Sequence, residues 1–210
     1  MKNLTDLPVQ VMASQSRIFQ AGEVGIIWRV VEGVVRLDRE SGQQRLPVQL
    51  ALPGDLIGVE VLCGQPYQFT ATAFSDCQLV PIRVRDEAHC QALLQEVLLQ
   101  QQDRSQDMAT LRTGSVVHRL SHLLRLLGLP WQGLSPRLDV HADRIRQQLP
   151  ALRDLAMVVD AKHETVCRAL SQLLPPRSRK SGPVAGSDPS RRASTLAWAS
   201  AQGAAAPMPS

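Results

Sequence analysis

Aromatic residues are scarce in this 210-residue chain: Trp28, Trp131, Trp198, Tyr67, Phe19, Phe69 and Phe74 are the full set. A core therefore has to rest on Leu, Val and Ile. Long apolar runs are missing as well. None approaches the roughly 18 residues that a membrane-spanning helix requires. The opening MKNLTDLPVQVMASQ lacks the apolar centre of a signal peptide. A cytoplasmic protein with no membrane partner is expected. The four cysteines, Cys63, Cys77, Cys90 and Cys167, form no CxxC pair and no Cys/His spacing that suits zinc. Free thiols in a reducing compartment are expected, with no metal and no cofactor. A basic excess is absent from most of the chain. The formal charge is +4, but the segment from Pro175 onward holds Arg177, Arg179, Lys180, Arg191 and Arg192 against Asp188, which accounts for all of it. Bulk charge over residues 1–174 gives no argument for nucleic acid.

What is present begins with short strands. Ile26–Val31, Val34–Leu37, Pro47–Leu52, Phe69–Phe74 and Cys77–Ile82 are apolar runs of strand length. Turn residues separate them, at Glu32-Gly33, Glu40-Ser41-Gly42, Pro53-Gly54-Asp55 and Gly64-Gln65-Pro66. Close, even spacing of this kind over residues 16 to about 82 predicts a sandwich or roll. From Asp86 the period becomes helical. Leu93, Leu94, Val97 and Leu98 begin a stripe that resumes at Met108 and runs to Leu127, where Gly128-Leu129-Pro130 ends it. This reads as one long amphipathic helix, and such a helix after a β domain predicts a dimer interface. A loop over Pro130–Pro136 leads to a strand expected at Asp143–Gln148. The Ala-, Pro-, Ser- and Gly-rich stretch from Pro175 to Ser210 has too little apolar periodicity to order itself and reads as disordered.

Between these lies LRDLAMVVDAKHETVCRALSQL, residues 152–173. The spacing predicts a helix over Leu152–Val159, a turn at Asp160-Ala161 and a second helix over Lys162–Leu173. Ala156 is small where the helices cross. Asp160 stands where a left-handed residue is needed. Val166 fills the angle, and Leu155, Val159, Leu170 and Leu173 complete the shared face. The opposite face carries His163, Glu164, Cys167, Arg168 and Ser171 at helical spacing. A helix of this kind can lie in the major groove. Arg168 suits guanine O6 and N7, Glu164 can accept from cytosine N4, and His163 can donate to guanine or a phosphate. Lys162 and Thr165 sit where phosphate contacts belong. The spacing alone fits equally an ordinary helical hairpin with a solvated charged face.

The segment HETVCRAL resembles the recognition helix of the CRP/FNR superfamily, whose pattern is R-E-T-V-x-R, with His163 in place of the usual Arg. RDLAMVV is similar to that family's first helix. FQAGE (Phe19–Glu23), VVEGVVRL (Val30–Leu37) and LPGDLIG (Leu52–Gly58) look like its cyclic-nucleotide-binding β-roll, with Gly22, Gly33, Gly54 and Gly58 at the turns. SVVHRLSHLLRLLG (Ser115–Gly128) resembles the end of its dimer helix. The resemblance implies an α+β chain in four parts. Residues 1–85 form a jelly-roll-like sensor, residues 86–128 a connector and dimerisation helix, and residues 129–174 a winged-helix-type helix-turn-helix. Residues 175–210 are a basic tail in which no wing is readable.

The resemblance further implies a homodimeric, non-enzymatic transcription regulator. Its partners would be double-stranded DNA with a pseudo-palindromic operator and RNA polymerase. The alternative is a roll that no longer serves DNA binding and pairs with an intact paralogue. The family's cyclic-nucleotide cassette needs an Arg for the phosphate, and no Lys, Arg or His occurs from Leu46 through Ile82. GQPYQFTATAF looks closer to the cyanobacterial nitrogen-control branch, which senses 2-oxoglutarate. The expected effector pocket comprises Gly58, Glu60, Gln68, Phe69 and Thr70, with Arg112 or Arg119 supplying a cation. The effector itself, if the roll has one, is not named by the sequence.

Overall fold

The computed structural model describes residues 8–42, 44–129 and 145–174. The Pro130–Pro136 loop, the wing question and the 175–210 tail lie outside the described residues. Among the described residues, eight strands make two antiparallel sheets. They are β1 (Gln10–Met12), β2 (Arg17–Phe19), β3 (Ile27–Glu32), β4 (Val35–Ser41), β5 (Gln44–Ala51), β6 (Leu56–Ile57), β7 (Thr70–Ala73) and β8 (Cys77–Ile82). One sheet has the order β1-β8-β3-β6 and the other β2-β7-β4-β5. This is the expected roll. It starts earlier than residue 16, because Gln10–Met12 pairs with β8 from Met12↔Cys77 to Gln10↔Leu79. That strand was illegible because it is short and Val11 is exposed.

Period-two alternation sorts the side chains. Phe19, Val30, Val35, Leu37, Ala71, Ala73 and Leu79 pack between the sheets. Val34, Leu50 and Phe74 belong instead to a second core, shared with Leu111, Leu120, Leu155, Val158 and Val166 of the helices. The roll and the helical segments are thus joined by apolar packing. The glycines at 22, 33, 54 and 58 all have positive φ, as their turn positions predicted.

The helical stripe is two helices rather than one. α1 (Glu87–Arg112) starts at Asp86, whose carboxylate accepts from the His89 backbone N–H at 2.7 Å. α2 (Val116–Leu126) starts at Ser115, whose hydroxyl accepts from the His118 N–H. Between them Gly114 has φ 80 and Thr113 is extended, so the chain turns where a cap-forming Gly-Ser pair permits it. The expected strand at 143–148 is also corrected. Residues 145–148 are helical and belong to α3, described over those residues, while Asp143 and Arg144 lie outside the description. Ile145 and Leu149, one helical turn apart, pack with Leu124, Leu129 and Leu174.

α1 presents two apolar faces. Leu93 is buried against Ile27 and Leu56 of the roll, whereas Leu94, Leu98 and Leu99 are exposed, the last two at 63% and 64%. The polar side of α1 is tied down by charge. Arg29 meets Glu96 at 2.5 Å, and Arg104 bridges Asp55 of the β5–β6 turn and Asp107. Asp107 also holds His122 of α2 at 3.0 Å. Burial pushes the His122 imidazole below its ordinary value, and the Asp107 bond only partly opposes this. Among the described residues no helix is long and apolar enough to cross a membrane, and no group of three His, Cys, Asp or Glu side chains is placed to hold a metal ion.

Candidate nucleic-acid interface and sensor cavity

The helix-turn-helix follows from local sequence. α4 (Leu152–Val158) and α5 (His163–Leu173) flank a tight turn. Asp160 takes φ 46, the left-handed conformation its position predicted. Asp160→Gly is expected to raise the unfolding free energy by about 0.5–1 kcal/mol, because glycine adopts this conformation without a Cβ penalty. A urea melt that shows no gain, or a loss, would mean the turn is unstrained. Val166 is fully buried between the helices, with Leu155, Ala156, Val159 and Ala169 around it. The opposite face of α5 presents Lys162, His163, Glu164, Thr165, Cys167, Arg168 and Ser171 to solvent. Among the described residues the side chains of His163, Glu164 and Arg168 have no ion-pair partner, so each is free to meet an external group.

The second site is the cavity of the roll, about 200 Å³, which α1 helps to wall off with Val97, Gln100 and Gln101. Gly58, Glu60, Gln68 and Phe69 line it, beside Phe19, Leu37, Gln49, Leu56 and Ile57. Gly58 has φ 70, and a Cβ there would come within 2.6 Å of the Tyr67 ring. Tyr67 in turn stacks on Phe19 at 3.9 Å and exchanges hydrogen bonds with Ile26. Among the described residues that line the cavity, Glu60 is the only charged one.

Three comparisons bear on this arrangement. Residues 9–87 match the cyclic nucleotide-binding domain family. The nitrogen fixation regulation protein FixK of Azorhizobium caulinodans is 39% identical over 75 residues, which are 35% of this chain and 29% of FixK. The chain therefore matches under a third of that relative's length. Among solved structures, a CRP-family transcriptional regulator from Thermus thermophilus superposes with TM-score 0.59 at 23% identity, covering 78% of this chain and 83% of that one. FixK2 from Bradyrhizobium japonicum gives TM-score 0.56 at 20% identity, over 79% and 83%. Residues 9–87 are thus of the cyclic nucleotide-binding domain type, and the chain shares the fold of these solved regulators.

Within this fold the structure does not bring the expected effector-pocket residues together in full. Thr70 is buried, but its hydroxyl donates to Glu40 and accepts from the Ala21 N–H, and it does not line the cavity. Arg112 donates to the Pro47 carbonyl and lines a different, larger cleft of about 760 Å³ with Arg39, Arg153, Lys162 and Asp160. Arg119 donates to the carbonyls of Val159, Asp160 and Gly114. It ties the turn of the helix-turn-helix to the α1–α2 break and brings no cation to the roll. The Val159 carbonyl at the C-terminal end of α4 lacks an intrahelical partner and attracts Arg119, whereas the Pro47 carbonyl met by Arg112 belongs to β5. Sequence reading missed Gln49. Its signal was a lone amide inside the apolar run Pro47–Leu52, at a position paired with Leu37 and directed into the roll.

Proposed function

We propose that this chain is a sequence-specific DNA-binding transcription regulator that acts as a homodimer in the cytoplasm, without enzymatic activity. The observation that carries the reading is the α4–turn–α5 unit, with its buried Val166 hinge and an exposed, unpaired His163/Glu164/Arg168 strip. In this reading α5 enters the major groove. Arg168 reads guanine, Glu164 accepts from cytosine, and His163 reaches guanine or a phosphate. Lys162 and Thr165 hold the backbone. The cations gathered beside Lys162 in the larger cleft add positive field to the same side. The division of labour is a sensor over residues 1–85, a dimerisation segment over 86–128 and a DNA-binding segment over 129–174. RNA polymerase is the downstream partner.

Selection of binding sites from a random DNA pool tests this reading. A pseudo-palindromic consensus with half-sites about one turn apart is expected, since two-fold symmetry presents two α5 helices. Failure to enrich any sequence, with and without cell extract, would refute DNA recognition and favour the roll as an interaction module.

The exposed α1 leucines support the dimer. Burying a leucine side chain is worth about 1.5–3 kcal/mol, and a two-fold interface counts each residue twice. The double substitution Leu98→Glu/Leu99→Glu is expected to convert a dimer to a folded monomer in sedimentation equilibrium. An unchanged mass would place the interface elsewhere.

A further inference from the structure

We propose that the roll cavity is a binding site for a small amine or amide, a ligand that donates N–H hydrogen bonds and carries no negative charge. The inference rests on the reading of the roll as a sensing domain, but not on DNA binding. At about 200 Å³ the cavity suits a compact molecule. Its walls are apolar and partly aromatic, through Phe19, Leu37, Leu56, Ile57 and Phe69, so they suit a flat or aliphatic body.

The polar groups decide the chemistry. Gln49 is only 7% exposed, and its side-chain amide makes no hydrogen bond among the described residues although it lines the cavity. An amide that opens on a cavity and has no protein partner is available to a ligand's donors and acceptors. Gln100 is not available, since its amide donates to the Leu56 carbonyl at 2.9 Å and accepts from the Leu56 N–H at 2.8 Å. Glu60 has one carboxylate oxygen engaged by the Gln68 N–H at 3.1 Å. Its other oxygen has no partner among the described residues. A ligand N–H donor can therefore be shared between the Gln49 carbonyl and the Glu60 carboxylate, while the Gln49 amino group meets an acceptor on the same molecule. With Glu60 the only charge among the described lining residues, an oxyanion would find no cation to compensate its desolvation and would face a carboxylate as well. Occupancy would bear directly on α1 through Val97 and Gln101, beside the Gln100 clasp that fastens this helix to β6.

The test is thermal unfolding and titration calorimetry of the full chain. The probes are nicotinamide, benzamidine and putrescine on one side, and cyclic AMP and 2-oxoglutarate on the other. At least one of the first three is expected to raise Tm and to bind. Gln49→Leu and Glu60→Gln should each weaken that binding at least tenfold. Ligand-free Gln49→Leu should be no less stable than wild type, since it removes an unpaired amide, and this separates loss of the site from loss of the fold. Three outcomes overturn the proposal: no shift with any of the first three probes, shifts that survive both substitutions, or binding of cyclic AMP or 2-oxoglutarate that Gln49→Leu abolishes. A chain that selects no DNA but binds an amine through Gln49 would overturn the regulator reading and leave this inference standing.

Discussion

Arg168→Ala is expected to relax or erase the DNA consensus while leaving the protein as stable as wild type. Arg168 is exposed on α5 with no ion-pair partner among the described residues, so its removal leaves no buried group unpaired. Surface substitutions of that kind change stability by about 0.5 kcal/mol or less. A bidentate arginine–guanine contact, in contrast, is worth about 1–3 kcal/mol of discrimination at each half-site. Over a palindrome the loss is roughly 30-fold to above 10,000-fold in affinity for the best site, with little change for random DNA. Lys162→Ala provides the contrasting pattern. As a phosphate contact it should weaken all sequences alike and reduce the salt dependence of binding by roughly one counterion per half-site. Competition binding at several salt concentrations separates the two. If Arg168→Ala kept the wild-type consensus and affinity, α5 would not be the reading helix.

The largest expected effect on stability lies at a buried charge triad that joins the roll to the helix-turn-helix. Arg36 of β4 is 4% exposed and Asp38 is 0% exposed. The Arg36 Nε donates to both Asp38 oxygens at 2.8 and 3.0 Å, and its Nη1 donates to Asp154 of α4 at 2.9 Å. The guanidinium also lies over the Phe74 ring at 5.8 Å. Burial works against the charged form, yet the two carboxylates outweigh it and hold the Arg36 pKa above its ordinary value. Arg36→Met strands two carboxylates, one of them fully buried, and should cost about 3–5 kcal/mol. Replacing all three residues, with Arg36→Met, Asp38→Leu and Asp154→Leu together, should recover most of that loss, because a well-packed apolar trio needs no charge compensation. Urea unfolding of the single and triple variants decides the matter. A single variant within about 1 kcal/mol of wild type would show that water already reaches the site.

Much of the helix-turn-helix was legible before any coordinates. Its information is local: Leu155, Ala156, Val159, Val166, Leu170 and Leu173 share one face through the 3.6-residue period, and Asp160 marks the only turn that period allows. Cap chemistry at Ser115, next to Gly114, was also written in the chain. The single-helix reading failed because it weighed the apolar stripe above those two residues. The turn glycines of the roll were legible for the same reason, since positive φ selects residue type position by position.

Long-range pairing was not legible. Nothing in the sequence connects Arg36 to Asp154, 118 residues later, or sends Arg119 to the carbonyls of Val159 and Asp160. Residue type showed that the roll cassette lacks cations. Only the packed sheets showed that Gln49 opens into the cavity and that Thr70 does not line it. The sequence by itself determined the local elements and the exposed polar strip of α5, because periodicity, caps and turns act over one or two helical turns. The tertiary structure alone decided which charges meet, which amide is left without a partner and which leucines stay uncovered, because those follow from how separate elements pack in space.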